Sequence, residues 1–109
     1  MKLISNKLCL HTNETRVIID NTPIELKHPQ YTTLKLIMLN AGRLVSQKHI
    51  INVLKNDMGF EGNGQSISSI IAQLQSIFTQ NNLNKELIRT IHNDSYIFTN
   101  HVRLQYNHH

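Results

Sequence analysis

Cysteine occurs once in the chain, at Cys9. A lone thiol excludes an internal disulfide and fits a reducing compartment. Between Leu8 and Leu10, Cys9 is expected to fill a strand and stay inert. Tryptophan is missing altogether, and three Phe and three Tyr bring aromatics to only 6%. The core must therefore come from Ile and Leu rather than from large rings. No apolar run approaches the roughly 20 residues that span a bilayer. Ser5, Asn6 and Lys7 break the first apolar stretch before it reaches the length of a signal peptide. The seven histidines show neither an HExxH arrangement nor Cys/His ligand spacing. A Gly-rich phosphate loop and paired acid–base carboxylates are also missing, and Cys9 has no histidine partner in a cleft-like setting. These absences argue against an enzyme and leave no metal or cofactor to expect.

What the sequence does contain fits one domain of 109 residues with a modest core. Lys and Arg number 11 against 7 acids, a net charge of +4 with neutral histidines. An excess of that size permits a nucleic acid or another anionic partner without requiring one. The first 27 residues alternate in short apolar runs, Leu3-Ile4, Leu8-Cys9-Leu10, Arg16-Val17-Ile18-Ile19 and Pro23-Ile24-Glu25-Leu26. Thr12-Asn13-Glu14 and Asp20-Asn21-Thr22 supply turn chemistry between them, so a small antiparallel sheet is expected. Pro29 suits the first turn of a helix carrying Tyr31, Leu34, Ile37 and Met38, which Gly42 would end. Ser46 is placed to cap a second helix that buries Ile50, Ile51, Val53 and Leu54. Residues 56–64, with three glycines, read as a loop around Phe60. Leu87–Ile91 and Tyr96–Thr99 read as a closing hairpin.

The third helix has an unusual make-up. Ile67, Ile70, Ile71, Leu74, Ile77 and Phe78 recur at spacings of three and four, one apolar stripe. The other face holds Gln65, Ser68, Ser69, Ala72, Gln73 and Ser76, with no charge at all. Solvent-facing helix surfaces are usually rich in Lys, Glu and Arg. A neutral face of small and amide side chains suits close approach to hydrogen-bonding edges, those of DNA bases or of a partner protein.

Taken in order, several stretches carry a resemblance. Ile24-Glu25-Leu26 leads into Tyr31-x-x-Leu34, and Ala41-Gly42-Arg43-Leu44-Val45-Ser46-Gln47 follows. Ile50-Ile51 comes next, then Ser66-Ile67 to Ile71-x-x-Leu74, and finally Ile88-x-Thr90-Ile91 with Tyr96-Ile97-Phe98. From about Leu3 to Thr99 the chain resembles the OmpR/PhoB-type winged helix-turn-helix DNA-binding domain, within it the ToxR/CadC-like branch. The resemblance implies an α+β fold: an N-terminal four-stranded antiparallel sheet, three helices and a C-terminal β-hairpin wing. The domain would occupy residues 1–102, and 103–109 would be a tail, the start of a linker ending in a tag remnant at His108 and His109. The recognition helix, about 66–79, would enter the major groove, and the wing, 87–99, would follow the backbone or the minor groove.

Site residues follow from this assignment. Gln73, in the middle of the neutral face, is the expected base reader, since a Gln amide can pair bidentately with adenine. Ser68 and Ser69 would contact bases or phosphates. Gln65 and Ser66 would sit where helix N–H groups attract phosphate, with Ser66 also capping the helix. Arg43, Ser46 and Lys48, at the start of the second helix, would position the backbone. Arg89, Thr90, His92 and Tyr96 are carried over as wing contacts. Two departures accompany these roles. Ala72, Gln73, Gln75 and Ser76 stand where the family has arginines, and His92-Asn93-Asp94-Ser95-Tyr96 stands for its Gly-x-Gly-Tyr wing turn. Fewer phosphate contacts imply weaker binding by a single domain, to be made up by dimerisation, clustering or a partner regulator.

The partner implied is double-stranded DNA, with RNA polymerase at the 56–64 loop and a second copy or partner regulator as further candidates. Because the family-like segment begins at the first residue, no receiver domain is expected ahead of it. The expectation is the cytoplasmic part of a membrane-anchored ToxR-like activator at the bacterial inner membrane. Its membrane contact would be made through a segment absent from this chain. A free-standing small regulator is the alternative arrangement. A different class of function is a degenerate winged-helix module that acts through protein–protein contacts.

Overall fold

Alternation decides the first quarter of the chain. In the computed structural model, which describes residues 1–106, Leu3, Ser5, Leu8, Leu10, Val17 and Ile19 are all buried. Their spacing is the period-two pattern of strands with one packed face. They lie on β1 (Lys2–Ser5), β2 (Leu8–His11) and β3 (Arg16–Ile19), to which β4 (Thr22–Glu25) adds in antiparallel register. Leu3, Leu10, Val17 and Ile24 stand opposite one another across the four strands. The β3–β4 turn needs two residues at positive φ, and Asp20 (49°) and Asn21 (67°) supply them.

The sheet has five strands rather than the four expected. Arg103–Gln105, read from sequence as tail, forms β8 and pairs antiparallel with β1, Leu104 opposite Leu3. Its three residues are all exposed and only Leu104 is apolar, so no alternation announced it. Residues 107–109, which include the presumed tag remnant, lie outside the described residues.

Helix α1 (His28–Leu39) holds Pro29 in its first turn, where the missing N–H leaves nothing unsatisfied. It lies against the sheet, and the Tyr31 hydroxyl donates to the His11 carbonyl over 2.5 Å. Burial pushes the Tyr31 phenol above its ordinary pKa. Gly42 does take positive φ, 81°, but in the turn beyond the helix, whose C-cap is Asn40. The chain then makes a two-residue strand, β5 (Val45–Ser46), and enters α2 (Gln47–Met58). Ser46 caps α2 as expected, its hydroxyl accepting from the His49 N–H at 3.0 Å. Gly59, at φ 67°, ends α2, so residues 56–58 are helical and the expected 56–64 loop shrinks to 59–63.

Helix α3 (Gly64–Gln80) follows, then one 3-10 turn (Lys85–Leu87), β6 (Ile88–Ile91) and β7 (Ser95–Phe98). The three strands β5, β7 and β6 make a second sheet, with β7 in the middle. The core lies between the helices and both sheets. Leu34, Ile37, Ile50, Leu54, Ile67, Leu74 and Phe98 are fully buried in it, and Phe78 and Tyr96 are 1% exposed. Each such aliphatic side chain contributes roughly 1.5–3 kcal/mol by leaving water, which seats α3 on α1 and α2.

Candidate nucleic-acid interface

The two faces of α3 are separated as the periodicity requires. Ile67, Ile70, Ile71, Leu74 and Phe78 are buried, while Gln65, Ser68, Ser69, Ala72, Gln73 and Ser76 are exposed. The neutral face is therefore a surface, 17 residues long at most, carried on a rigid apolar seat.

The N-terminal end of α3 differs from expectation in one respect. Its cap is Asn63, whose Oδ1 accepts from the N–H groups of Gln65 (3.1 Å) and Ser66 (3.2 Å). Ser66 is the reciprocal member of the capping box, its hydroxyl accepting from the Asn63 N–H at 3.2 Å. The cap is therefore Asn63 and not Ser66, and Asn with Ser three positions on is a weaker sequence pattern than Ser or Thr followed by Glu or Gln. The backbone donors of Gln65 and Ser66 are thus already engaged. Only their side chains remain for the contacts assigned to them.

One amide ties this end of α3 to α2 and to the wing. Gln47, first residue of α2, donates through Nε2 toward the Tyr96 hydroxyl (2.8 Å), Ser68 Oγ (3.2 Å) and the Asn93 carbonyl (3.4 Å). The Gln47 N–H donates to the Asp94 carbonyl at 2.8 Å and the Gly42 N–H to the Phe98 carbonyl at 3.0 Å. The α1–α2 connection therefore runs alongside β7 and carries the wing with it. A Cβ added at Gly64 would come 2.5 Å from Gln47 Oε1, so a glycine there lets the amide lie close. Sequence reading did not single out Gln47, since a Gln at the start of a helix has no distinguishing local pattern.

Tyr96 is 1% exposed. Its hydroxyl faces Gln47 and Ser68, so it braces the wing and is not available for the ligand contact expected of it. Ser68 keeps its exposure, but its hydroxyl also donates to the Gly64 carbonyl at 3.2 Å. Gln75, one of the residues standing in place of arginines, turns inward and donates to the Ile88 carbonyl at 2.8 Å, fastening α3 to β6.

Gln73 is exposed, and its Oε1 accepts from Gln30 Nε2 at 2.8 Å. Gln30 is only 8% exposed, and its own Oε1 accepts from the Lys27 N–H at 3.0 Å. A Gln three residues after a helix cap is half of a capping-box signal, but with Lys27 at the cap the signal was invisible.

The cations lie on other segments, the α1–β5 turn, the start of α2 and the wing. Arg43, Ser46 and Lys48 are exposed, Arg43 in the α1–β5 turn and the others where β5 meets α2. Among the described residues neither Arg43 nor Lys48 makes an ion pair, whereas Arg89 Nε lies 3.1 Å from Glu86 Oε2. Thr90 and His92 are exposed on the wing. His92 and Asn93 hold φ of 54° and 67°, so the wing turn closes without glycine because Asn and His tolerate this region better than most residues. Among the described residues no group of His, Cys, Asp and Glu could hold a metal ion.

The same arrangement of elements occurs in solved structures. The DNA-binding domain of CpxR from E. coli superposes with a TM-score of 0.74 at 19% identity, covering 91% of this chain and 96% of that one. The Klebsiella pneumoniae RstA DNA-binding domain, solved in complex with the RstA box, gives 0.71 at 20% identity, with 90% and 96% covered. The C-terminal effector domain of BfmR from Acinetobacter baumannii gives 0.66 at 23%, with 90% and 89% covered. At these identities the likeness shows the shared winged-helix fold. No curated protein matches the chain in sequence. The sequence pattern of the family described as "Transcriptional regulatory protein, C terminal" matches residues 21–98. The match takes in α1, α2, α3 and the wing, and the chain belongs to that OmpR/PhoB-type family of transcriptional regulatory domains.

Proposed function

We propose that this chain binds double-stranded DNA as the effector domain of a transcriptional regulator, with α3 in the major groove and the wing on the backbone or minor groove. The observation that carries this reading is the exposed, uncharged face of α3, seated on a buried apolar stripe, in a domain that also exposes the cations Arg43 and Lys48 around the start of α2. Such a face can approach base edges, while the cations meet phosphates. The related RstA domain was solved with its DNA box, which supports the same use here. Ser69 and Gln73 are assigned to the groove, and Gln65, Ser66, Arg43, Ser46, Lys48, Arg89, Thr90 and His92 to the backbone.

The finer reading is a ToxR-like activator whose membrane anchor lies outside this chain. Among the described residues no helix is long and apolar enough to cross a membrane. RNA polymerase would be met at residues 59–63, where Phe60 packs partly against the core, and a second copy or partner regulator would raise occupancy.

A second reading, a winged-helix module that meets a protein, is favoured by the absence of any cation on α3 itself. Selection from a random duplex pool, followed by titration in rising salt, separates the two. DNA reading predicts an enriched motif and a log–log salt slope of about −0.9 per phosphate neutralised, made shallower by about 0.9 in Arg43→Ala. No enrichment and no salt dependence would leave the protein-contact reading standing.

A further inference from the structure

Resting on the DNA-binding proposal above, we infer that Gln47 is a positioning residue for DNA binding: its amide fixes the wing turn against the first turns of α3, so that both meet the duplex as one preformed surface. Backbone and side chain of this residue serve different elements. The Gln47 N–H, which has no partner within α2, donates to the Asp94 carbonyl at 2.8 Å, and Ser46 before it pairs with Ser95. The backbone is thereby joined to the wing. The side chain crosses to α3. Its Nε2 lies 3.2 Å from Ser68 Oγ, 2.8 Å from the Tyr96 hydroxyl and 3.4 Å from the Asn93 carbonyl.

The direction of these bonds makes the Gln47 amide their source. Ser68 sends its own hydroxyl hydrogen to the Gly64 carbonyl at 3.2 Å and keeps lone pairs for an incoming N–H. The Asn93 carbonyl can only accept. Two amide hydrogens on one nitrogen are thus offered to α3, to β7 and to the wing turn at once. The other end of the wing has its own tie, since Gln75 Nε2 donates to the carbonyl of Ile88, the first residue of β6. Gln75 fixes the base of the wing and Gln47 its tip. The residues on either side of the Gln47 amide are neighbours of proposed contacts: Ser68 precedes Ser69 on the neutral face, and Asn93 follows His92 in the turn. Order held by such a tether exists before DNA arrives. Without it the turn must be ordered on binding, and that cost is subtracted from affinity.

The test combines amide exchange without DNA and affinity for the duplex that the parent chain enriches from a random pool. Parent, Gln47→Ala, Gln47→Met, His92→Ala and the double variants of His92→Ala with each Gln47 change are compared, each first checked by thermal unfolding. The amide of residue 47 survives both Gln47 substitutions and reports how firmly the Asp94 carbonyl sits on it. Its exchange, and that of residues 92–95, should quicken by about three- to tenfold in either Gln47 variant. Affinity should fall by about three- to tenfold. In the double variants the loss caused by His92→Ala should shrink, because a wing already released has less to lose. Should one Gln47 variant fail to fold, the other carries the test. Exchange equal to the parent's, or losses that simply add, would make Gln47 a direct contact or a bystander and overturn the inference while leaving DNA binding intact. A His92→Ala loss of zero in the parent also overturns it, since a wing that touches nothing needs no positioning. No enriched duplex for the parent overturns the DNA-binding proposal, and this inference with it.

Discussion

Gln47 Nε2 lies 2.8 Å from the Tyr96 hydroxyl, joining the first residue of α2 to the middle strand of the wing sheet. The Tyr96 ring is 1% exposed and Gln47 is half-buried. Removing the hydroxyl in Tyr96→Phe keeps the ring packing and deletes one net hydrogen bond, a loss of about 1 kcal/mol. For a domain of this size the melting temperature should fall by roughly 4–8 °C. A ring that contacted DNA instead of bracing the wing would leave thermal stability unchanged and lower affinity alone.

Asn63, not Ser66, holds the first turn of α3, since its Oδ1 takes two backbone donors. Asn63→Ala should therefore cost about 1 kcal/mol. Ser66→Ala should cost less, because it removes only the reciprocal bond to the Asn63 N–H. Urea denaturation of the two variants gives the order directly, and the reverse order would return the cap to Ser66.

Thr33 is fully buried in α1, and its Oγ1 has no hydrogen-bond partner. Thr33→Val replaces the hydroxyl by a methyl of similar shape and removes an unpaid desolvation, so stability should rise by about 1 kcal/mol. The readout is an upward shift of the urea midpoint with the slope unchanged.

Arg89 is held by Glu86 at 3.1 Å in an exposed pair. Pairs of this kind contribute between zero and about 1 kcal/mol to stability, but Glu86 competes with phosphate for the guanidinium. Glu86→Gln should leave the melting temperature within error and raise DNA affinity by roughly three- to tenfold at low ionic strength, the gain shrinking as salt is added. An unchanged affinity would take Arg89 out of the interface.

Burial raises the Tyr31 phenol pKa in the folded chain above its ordinary value of about 10. The unfolded chain therefore loses this proton first. The stability tied to the neutral phenol is whole below pH 10 and is lost as pH rises through the folded pKa. Chemical denaturation between pH 8 and 11 should show a fall above about pH 10 that is smaller in Tyr31→Phe.

The stripe of α3, the alternation of β1 to β3 and the cap at Ser46 were legible because each repeats a local rule that neighbouring residues obey. What escaped was set at a distance. Gln30 and Gln47 take their roles from partners 43 and 49 positions away, and no window of sequence contains both ends. Strand β8 owes its existence to the vacant edge of β1, not to its own Arg-Leu-Gln, all exposed. Tyr96 matched the family motif correctly, yet its depth depends on how β5 lies against β7, which the motif does not state. Asn63 was hidden by a glycine-bearing stretch that reads as loop until Gly64 is seen to begin a helix.

The pairing of β1 with β8 also decides how the domain would respond to being pulled. Lys2 stands opposite Gln105 in an antiparallel ladder, so residues 1 and 106 leave the sheet side by side. Tension applied between the two ends loads that ladder at its open mouth, one rung after another, as a zipper and not as a lap joint in shear. β8 would peel away first and at low force. The helices and the wing lie behind the remaining four strands, so strain transmitted along the chain would be spent at this seam before it disturbed α3.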